Sequence, residues 1–234
     1  MAISENIAAI QETIAAAARR ARRRPEEIAL MAVSKTHPPE RIREAYHAGL
    51  RLFGENRIQE FAGKADGLAD LAGAEWHMIG HLQTNKAGKA VEFFHAIDSV
   101  DSVKLAEKLD AAARSLGKKI AVLIEINIGG EAVKSGVAPD SQELKDLLLA
   151  ATRCAALEFR GLMTVPPFTD DPQEARPYFR KLRELRDAIA TRKMPAVVMD
   201  LLSMGMSHDF EVAIEEGSTC VRVGTAIFGK RTKD

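Results

Sequence analysis

Cysteine is scarce: the 234 residues include only two, Cys154 and Cys220. They lie far apart, with no CxxC pair and no third thiol. A disulfide framework and a thiolate metal cluster are therefore excluded, and two buried, reduced thiols are expected, as suits a reducing compartment. Net charge is also lacking, because Lys+Arg and Asp+Glu both number 33. Nothing in that balance suggests a nucleic-acid surface, a polyanionic substrate or a membrane face. No apolar run is long enough to span a bilayer, and Met1 to Asn6 lack a signal-peptide pattern. The expectation is a cytoplasmic protein with no nucleic-acid or membrane partner. Linkers, low-complexity stretches and close repeats are missing too, so one domain over residues 1–234 is expected. With 46% apolar and 28% charged residues, such a chain can bury a full core.

What is present is alternation. Short apolar runs predict strands near Ile28–Ser34, Arg51–Gly54, Glu75–Gly80, Phe94–Val100, Lys119–Asn127, Phe159–Val165, Ala196–Leu202 and Thr219–Val223. Helical periodicity lies between them, clearest at Val103–Leu116, Ser141–Leu157, Ala175–Thr191 and Asp209–Glu216, with Gly49, Gly117 and Gly217 at helix ends. Ahead of the first strand, Ile3, Ile7, Ile10 and Ile14 mark one face of a helix in residues 1–24, with Ser4 as its expected N-cap and Pro25 as its stop. Several strands are apolar throughout, as parallel strands covered on both faces must be. Eight βα units in this length predict an α/β fold, a single (β/α)8 TIM-like barrel with an extra N-terminal helix. An open doubly wound sheet is the alternative. The cluster Arg19, Arg20, Arg22, Arg23 and Arg24 reads better as a solvated helix end, helped by the dipole, than as a nucleic-acid contact.

Lys35 is the most telling residue. It follows the first strand and precedes a Pro-rich turn and an amphipathic segment, Arg41 to Ala48. That puts it at a strand's carboxyl end, where α/β folds hold their chemistry. A lysine there can act as an amine nucleophile if its surroundings lower its pKa, although in isolation a solvated lysine ending a strand is the better reading. At the ends of the seventh and eighth strands, Ser207 and Gly224-Thr225 offer hydroxyls and close backbone approach, as barrel phosphate sites do. Taken singly, they read as well as a capping serine and an ordinary turn. Gly224 to Lys230 fits most of a Walker A loop, but Arg231 replaces Ser or Thr and no helix is expected to follow, so nucleotide binding is rejected. His77 and His81 fall on a strand ending in Gly80, without an obvious carboxylate partner, and zinc is not expected. An amine and a phosphate cradle, expected to face each other around one barrel mouth, suit a phosphorylated aldehyde such as pyridoxal 5'-phosphate.

These segments together resemble the pyridoxal phosphate homeostasis protein family, small barrel proteins related to the alanine racemase N-terminal domain (a fold-type III barrel). The resemblance runs from Ala32-Val33-Ser34-Lys35 through Phe53-Gly54-Glu55-Asn56, Trp76 to Gln83 with Lys86, and Leu202 to Ser207 with Asp209, to Gly224 to Gly229. Arg57 stands where many relatives carry Tyr. The resemblance implies pyridoxal phosphate held as an imine on Lys35, phosphate on Ser207, Gly224 and Thr225, Arg222 facing the pyridine nitrogen, and Asn56 near the ring. A guanidinium only donates hydrogen bonds, which would leave that nitrogen unprotonated and carbanion chemistry weak. Related racemases use a second acid/base, usually a Tyr from an additional β domain, whereas Tyr46 and Tyr178 fall in predicted outer helices. A non-catalytic carrier that buffers or delivers the cofactor to acceptor enzymes is therefore expected, as a monomer. A cofactor-dependent amino-acid racemase or lyase is the second reading, and a cofactor-free lysine aldolase the third.

Overall fold

The computed structural model describes residues 2–131 and 134–229. Eight parallel strands close a barrel in sequence order: β1 (Ala29–Val33), β2 (Leu52–Glu55), β3 (Glu75–Met78), β4 (Ala96–Val100), β5 (Ile120–Glu125), β6 (Leu157–Met163), β7 (Val197–Met206) and β8 (Cys220–Val223). Closure comes from β8 pairing with β1, with Met31 level with Arg222 and Ala32 with Val223. The open-sheet alternative is excluded. The helices are α1 (Ile3–Arg20), α2 (Pro39–His47), α3 (Ile58–Ala62), α4 (Ala87–Phe93), α5 (Val103–Ser115), α6 (Gln142–Ala151), α7 (Arg176–Ala190), α8 (Phe210–Glu215) and α9 (Thr225–Phe228).

Alternation along each strand sends one residue set outward and one inward. Outward residues such as Phe53, Trp76, Ile97, Val122, Leu202 and Val221 join the helices in one continuous apolar core. Phe53 stacks on Trp76 at 4.8 Å, and Phe61 of α3 lies 4.8 Å from the same indole, which pins α3 beside β2 and β3. The inward set, including Met31, Leu123, Met163 and Cys220, fills the lumen.

The last βα unit departs from expectation. Among the described residues only the four-residue α9 follows β8 before Gly229 turns to φ 87°. Helix α1 packs on α2, α8 and α9. Its four isoleucines are buried as the spacing predicted, each stabilising by roughly 1.5–3 kcal/mol. Asn6 Nδ2 donates to the Ile227 carbonyl at 2.9 Å. Arg20 pairs with Glu211 and Glu215, and Arg23 donates to the carbonyls of Ile214 and Ser218. Much of the basic cluster thus ties α1 to its neighbours. The N-cap is Ala2 rather than Ser4, with the Ala2 N–H donating to Glu5, and the helix stops at Arg20 rather than near Arg24 because Arg22 adopts φ 56°.

Other boundaries shift more modestly. The helix expected to reach Leu157 ends at Ala151, and β6 starts two residues before Phe159. Strand β7 runs on to Met206, past Leu202, since its register with β8 shifts between Ser203 and Met206. Gly49, Gly117 and Gly217 do end helices, with φ of 102°, 62° and 102°. No helix among the described residues is long and apolar enough to cross a membrane.

Candidate functional site

All eight strands point their carboxyl ends to one mouth, and the expected site residues gather there. Met31 faces the lumen, since a Cβ on Gly54 would meet its sulfur at 2.7 Å and Ile79 at 2.9 Å. Alternation makes Val33 inward as well, and Lys35 follows two residues later, half-buried in the turn after Ser34. Gly224 sits beside the end of β1, where a Cβ would come within 3.3 Å of the Val33 carbonyl oxygen, two residues before Lys35. The hydroxyl-bearing loops after β7 and β8 therefore neighbour Lys35 rather than facing it across the mouth, because the first and last strands of a closed barrel pair.

The loop holding Ser207 is built by Asp209. The Met206 N–H donates to Asp209 Oδ1 at 2.6 Å, and the Asp209 N–H donates back to the Met206 carbonyl at 3.1 Å. Ser207 is half-buried within this turn and does not cap α8, whose N-cap is Asp209. Gly205 takes φ 93° just before it, and a Cβ there would strike Ala213 at 2.5 Å, so only glycine fits. Thr225 is exposed at the start of α9. The helical turn after Gly224 was not expected from the sequence, but α9 ends at Phe228, before Gly229, so the Walker A reading still fails; Lys230 and Arg231 lie outside the described residues.

Deeper in the lumen, Arg222 is only 3% exposed. Its Nη1 donates to Ser203 Oγ and its Nη2 to the Thr164 carbonyl, both at 2.7 Å, and neither bond uses Nε. Burial pushes the guanidinium down from its ordinary pKa, countered by Cys220, Asp98, Asp209 and Glu125. His77 Nδ1 lies 3.0 Å from Asp98 Oδ1. Burial alone would lower the His77 pKa, but the charge and hydrogen bond of Asp98 outweigh it and hold the imidazole above its usual value. His81 likewise faces Asp101 at 3.2 Å. Both histidines thus have carboxylate partners that the sequence did not reveal, yet no group of three or more ligating side chains that could hold a metal forms among the described residues.

Asn56 lies elsewhere on the rim. With Gly80, Glu125, Asn127, Lys134 and Ser135 it lines a cavity of about 320 Å³ on the β2, β3 and β5 side of the mouth, which Lys35, Ser207, Arg222, Gly224 and Thr225 do not line. Glu125 accepts from Ser135 Oγ at 2.9 Å, while its Oε2 is buried without a hydrogen-bond partner among the described residues. Burial raises its carboxyl pKa, relieved in part by Ser135. Asp98 and Glu125 were missed from sequence, where His77 was weighed only as a metal ligand. The available signal was a carboxylate inside an apolar strand covered on both faces, in Ala-Ile-Asp-Ser-Val and Ile-Glu-Ile-Asn, where water cannot solvate it. Tyr46 and Tyr178 lie on α2 and α7, outside the barrel, as expected.

Comparison with known proteins agrees with this geometry. The family model described as alanine racemase, N-terminal domain, matches residues 6–232. The pyridoxal phosphate homeostasis protein of Aquifex aeolicus is 47% identical over 227 residues, covering 97% of each chain. That of Pseudomonas aeruginosa is 43% identical, covering 98% of this chain and 96% of its own. Among solved structures, PipY of Synechococcus elongatus with PLP bound is similar at a TM-score of 0.84 and 38% identity, covering 97% of this chain and all of its own. An alanine racemase from Clostridium difficile shares the barrel fold at a TM-score of 0.73 and 15% identity, over 99% of this chain and 57% of its own. A barrel closed with Lys35 beside a hydroxyl-lined turn, over a buried Arg222, and these matches across nearly the whole chain lead to one conclusion: the chain belongs to the alanine racemase N-terminal domain family and, within it, to the pyridoxal phosphate homeostasis proteins.

Proposed function

We propose that this protein binds pyridoxal 5'-phosphate through Lys35 and serves its homeostasis as a carrier, without substantial catalysis of its own. The observation that supports the proposal is the close approach of Gly224 to Val33 at the end of β1, two residues before Lys35, which brings the loop after β8 to the strand end that Lys35 follows. The donor set fits: a primary amine, an anion-binding turn with Ser207 and Thr225, and a permanently charged guanidinium below. When bound, the cofactor supplies an aldehyde that condenses reversibly with a primary amine, one water leaving for each C=N bond formed.

Lys35 would hold that aldehyde, Ser207, Gly224 and Thr225 the phosphate, and Arg222 the ring nitrogen. Arg222 cannot release its proton, so its contribution is to orient and to donate a hydrogen bond. Tyr46, the nearer tyrosine in sequence, spends its hydroxyl on the Ala72 carbonyl at 2.7 Å outside the barrel, which leaves it unsuited to a proton transfer at the mouth. Release would proceed by exchange with another amine, either a small molecule or a lysine of an acceptor enzyme.

The test is borohydride reduction of the protein incubated with pyridoxal phosphate, followed by peptide mass mapping. A pyridoxyl adduct on Lys35, absent from a Lys35→Ala protein, is the expected result. Adducts spread over surface lysines would overturn the assignment. Turnover of D- or L-amino acids at enzyme-like rates would overturn the carrier role in favour of a racemase or lyase.

A further inference from the structure

Behind the Lys35 turn, on the outer side of the barrel, lies a second polar system that contributes nothing to the lumen. Lys64 follows α3, and its side chain is only 8% exposed. Its ammonium lies 2.8 Å from Glu55 Oε1, with Glu55 fully buried, and donates to the Ser34 carbonyl at 3.0 Å. Two longer contacts at 3.4 Å reach the His37 carbonyl and Glu60 Oε1. Glu55 also accepts from Ser34 Oγ at 2.5 Å, and Glu60 accepts from the Thr36 N–H. Ser34 and His37 bracket Lys35, and between them Thr36 adopts φ 65°, a left-handed conformation that a β-branched residue rarely takes.

A buried lysine is costly unless paired and hydrogen-bonded, and such expense at a turn implies a task. Strained backbone persists only where its surroundings over-determine it. Here the surroundings are identifiable: Lys64 and Glu60 bind both sides and the centre of the four-residue turn that carries Lys35. We propose that Lys64, seated by Glu55 and assisted by Glu60, is a positioning residue that fixes the backbone of residues 34–37 so that the Lys35 amine is presented to an aldehyde in the mouth. This rests on the proposed function above and adds to it a group that acts through the backbone of the turn. Freeing the backbone of a single loop residue changes an equilibrium by roughly five- to thirty-fold, so loss of the clamp should weaken covalent capture by about tenfold.

The discriminating pair of probes is pyridoxal phosphate and pyridoxine phosphate. The second has the same ring and phosphate but an alcohol in place of the aldehyde, so it reports the non-covalent site alone. Dissociation constants for both would be measured on the native protein, Lys64→Met, Lys64→Arg and Glu60→Ala, together with the melting temperature of each. The expected result is a loss of about tenfold for pyridoxal phosphate in Lys64→Met, partial recovery in Lys64→Arg, a smaller loss in Glu60→Ala, and little change for pyridoxine phosphate throughout. If Lys64→Met does not fold, Glu60→Ala decides, because Glu60 is part-exposed and its removal takes away the Thr36 contact and the longer contact to Lys64, while Lys64 keeps Glu55 and the Ser34 carbonyl. Equal losses for both ligands would reveal a general structural effect and overturn the proposal, as would unchanged affinity for pyridoxal phosphate. Absence of any adduct on Lys35 in the native protein would instead overturn the proposed function, and this inference with it.

Discussion

Replacing Arg222 by Met should destabilise the protein in a way that depends on pH. Methionine keeps most of the stem's volume and removes the charge. It abolishes the two 2.7 Å bonds to Ser203 and Thr164 and leaves the Thr164 carbonyl buried without that donor. Hydrogen bonds to a charged group are worth about 1.5–3 kcal/mol each, and breaking a buried charged system typically costs about 3–5 kcal/mol. A loss of about 3–5 kcal/mol is therefore expected. At about 2–4 °C per kcal/mol for a chain of this size, the melting temperature should fall by about 6–20 °C. Burial raises the carboxyl pKa values of Glu125 and Asp209, and Arg222 is among the groups that pull both back. Without it both rise further. A carboxyl raised above its unfolded value gives stability at low pH that is lost as pH climbs through the folded value, so the variant's deficit should be smaller near about pH 5 than near about pH 8. Thermal unfolding of the cofactor-free protein at both pH values measures this. A drop of less than about 3 °C, or a deficit that shrinks as pH rises, would refute the reasoning.

Three further outcomes are expected. The His77 pKa is held above 6.5 by Asp98 against the effect of burial, so the pair's contribution is complete below that value and is lost as pH rises through the higher folded one; urea unfolding across this range should show a steeper decline in the native protein than in His77→Gln, and equal slopes would contradict the assignment. Gly161→Ala places a Cβ 1.9 Å from the Leu201 carbonyl and must part β6 from β7, costing about 1–3 kcal/mol, and an unchanged melting temperature would show that the barrel is more compliant there than its geometry indicates. Burial pushes the Cys220 thiol up to about 12, and that of Cys154 rises for the same reason. Both should resist a thiol reagent until the protein unfolds, and rapid release of two equivalents from the folded protein would disprove their burial.

The barrel was legible because alternation of apolar runs with 3.6-residue patterns is a property of local sequence. The isoleucines of α1 and the apolar length of β5 carried that information directly. What α1 packs on was not legible, since nothing near Asn6 or Arg20 shows that their partners are Ile227 and Glu211, about two hundred residues away in sequence. Strand ends were misjudged where the register shifts, as between Ser203 and Met206, because a bulge is fixed by the neighbouring strand rather than by the strand itself. Lys35, Ser207, Arg222, Gly224 and Thr225 could be singled out because each sits at or near a strand terminus in a recognisable segment. Their arrangement as neighbours, not opposites, followed from closure alone.

The polar residues that escaped notice share a simpler cause. Ser34 meets Glu55, and His77 meets Asp98, each across 21 residues of sequence. That interval is about one strand–helix repeat of the barrel: it continues the β1–β2 register in the first pair and reaches two residues beyond His77's register partner Ala96 in the second. Seen in isolation, Glu55 or Asp98 is an anomaly within a buried strand. One repeat earlier the partner is already present, a hydroxyl in the first case and an imidazole in the second. The parity of the strand then decides which side of the wall each pair occupies. Glu55 lies one residue from the inward Gly54 and so projects outward to Lys64, whereas His77 lies one residue from the outward Trp76 and projects into the lumen. The same spacing thus yields a buried ion pair behind the Lys35 turn on one side and a titratable pair within the lumen on the other, and a shift of one residue in either strand would exchange the two.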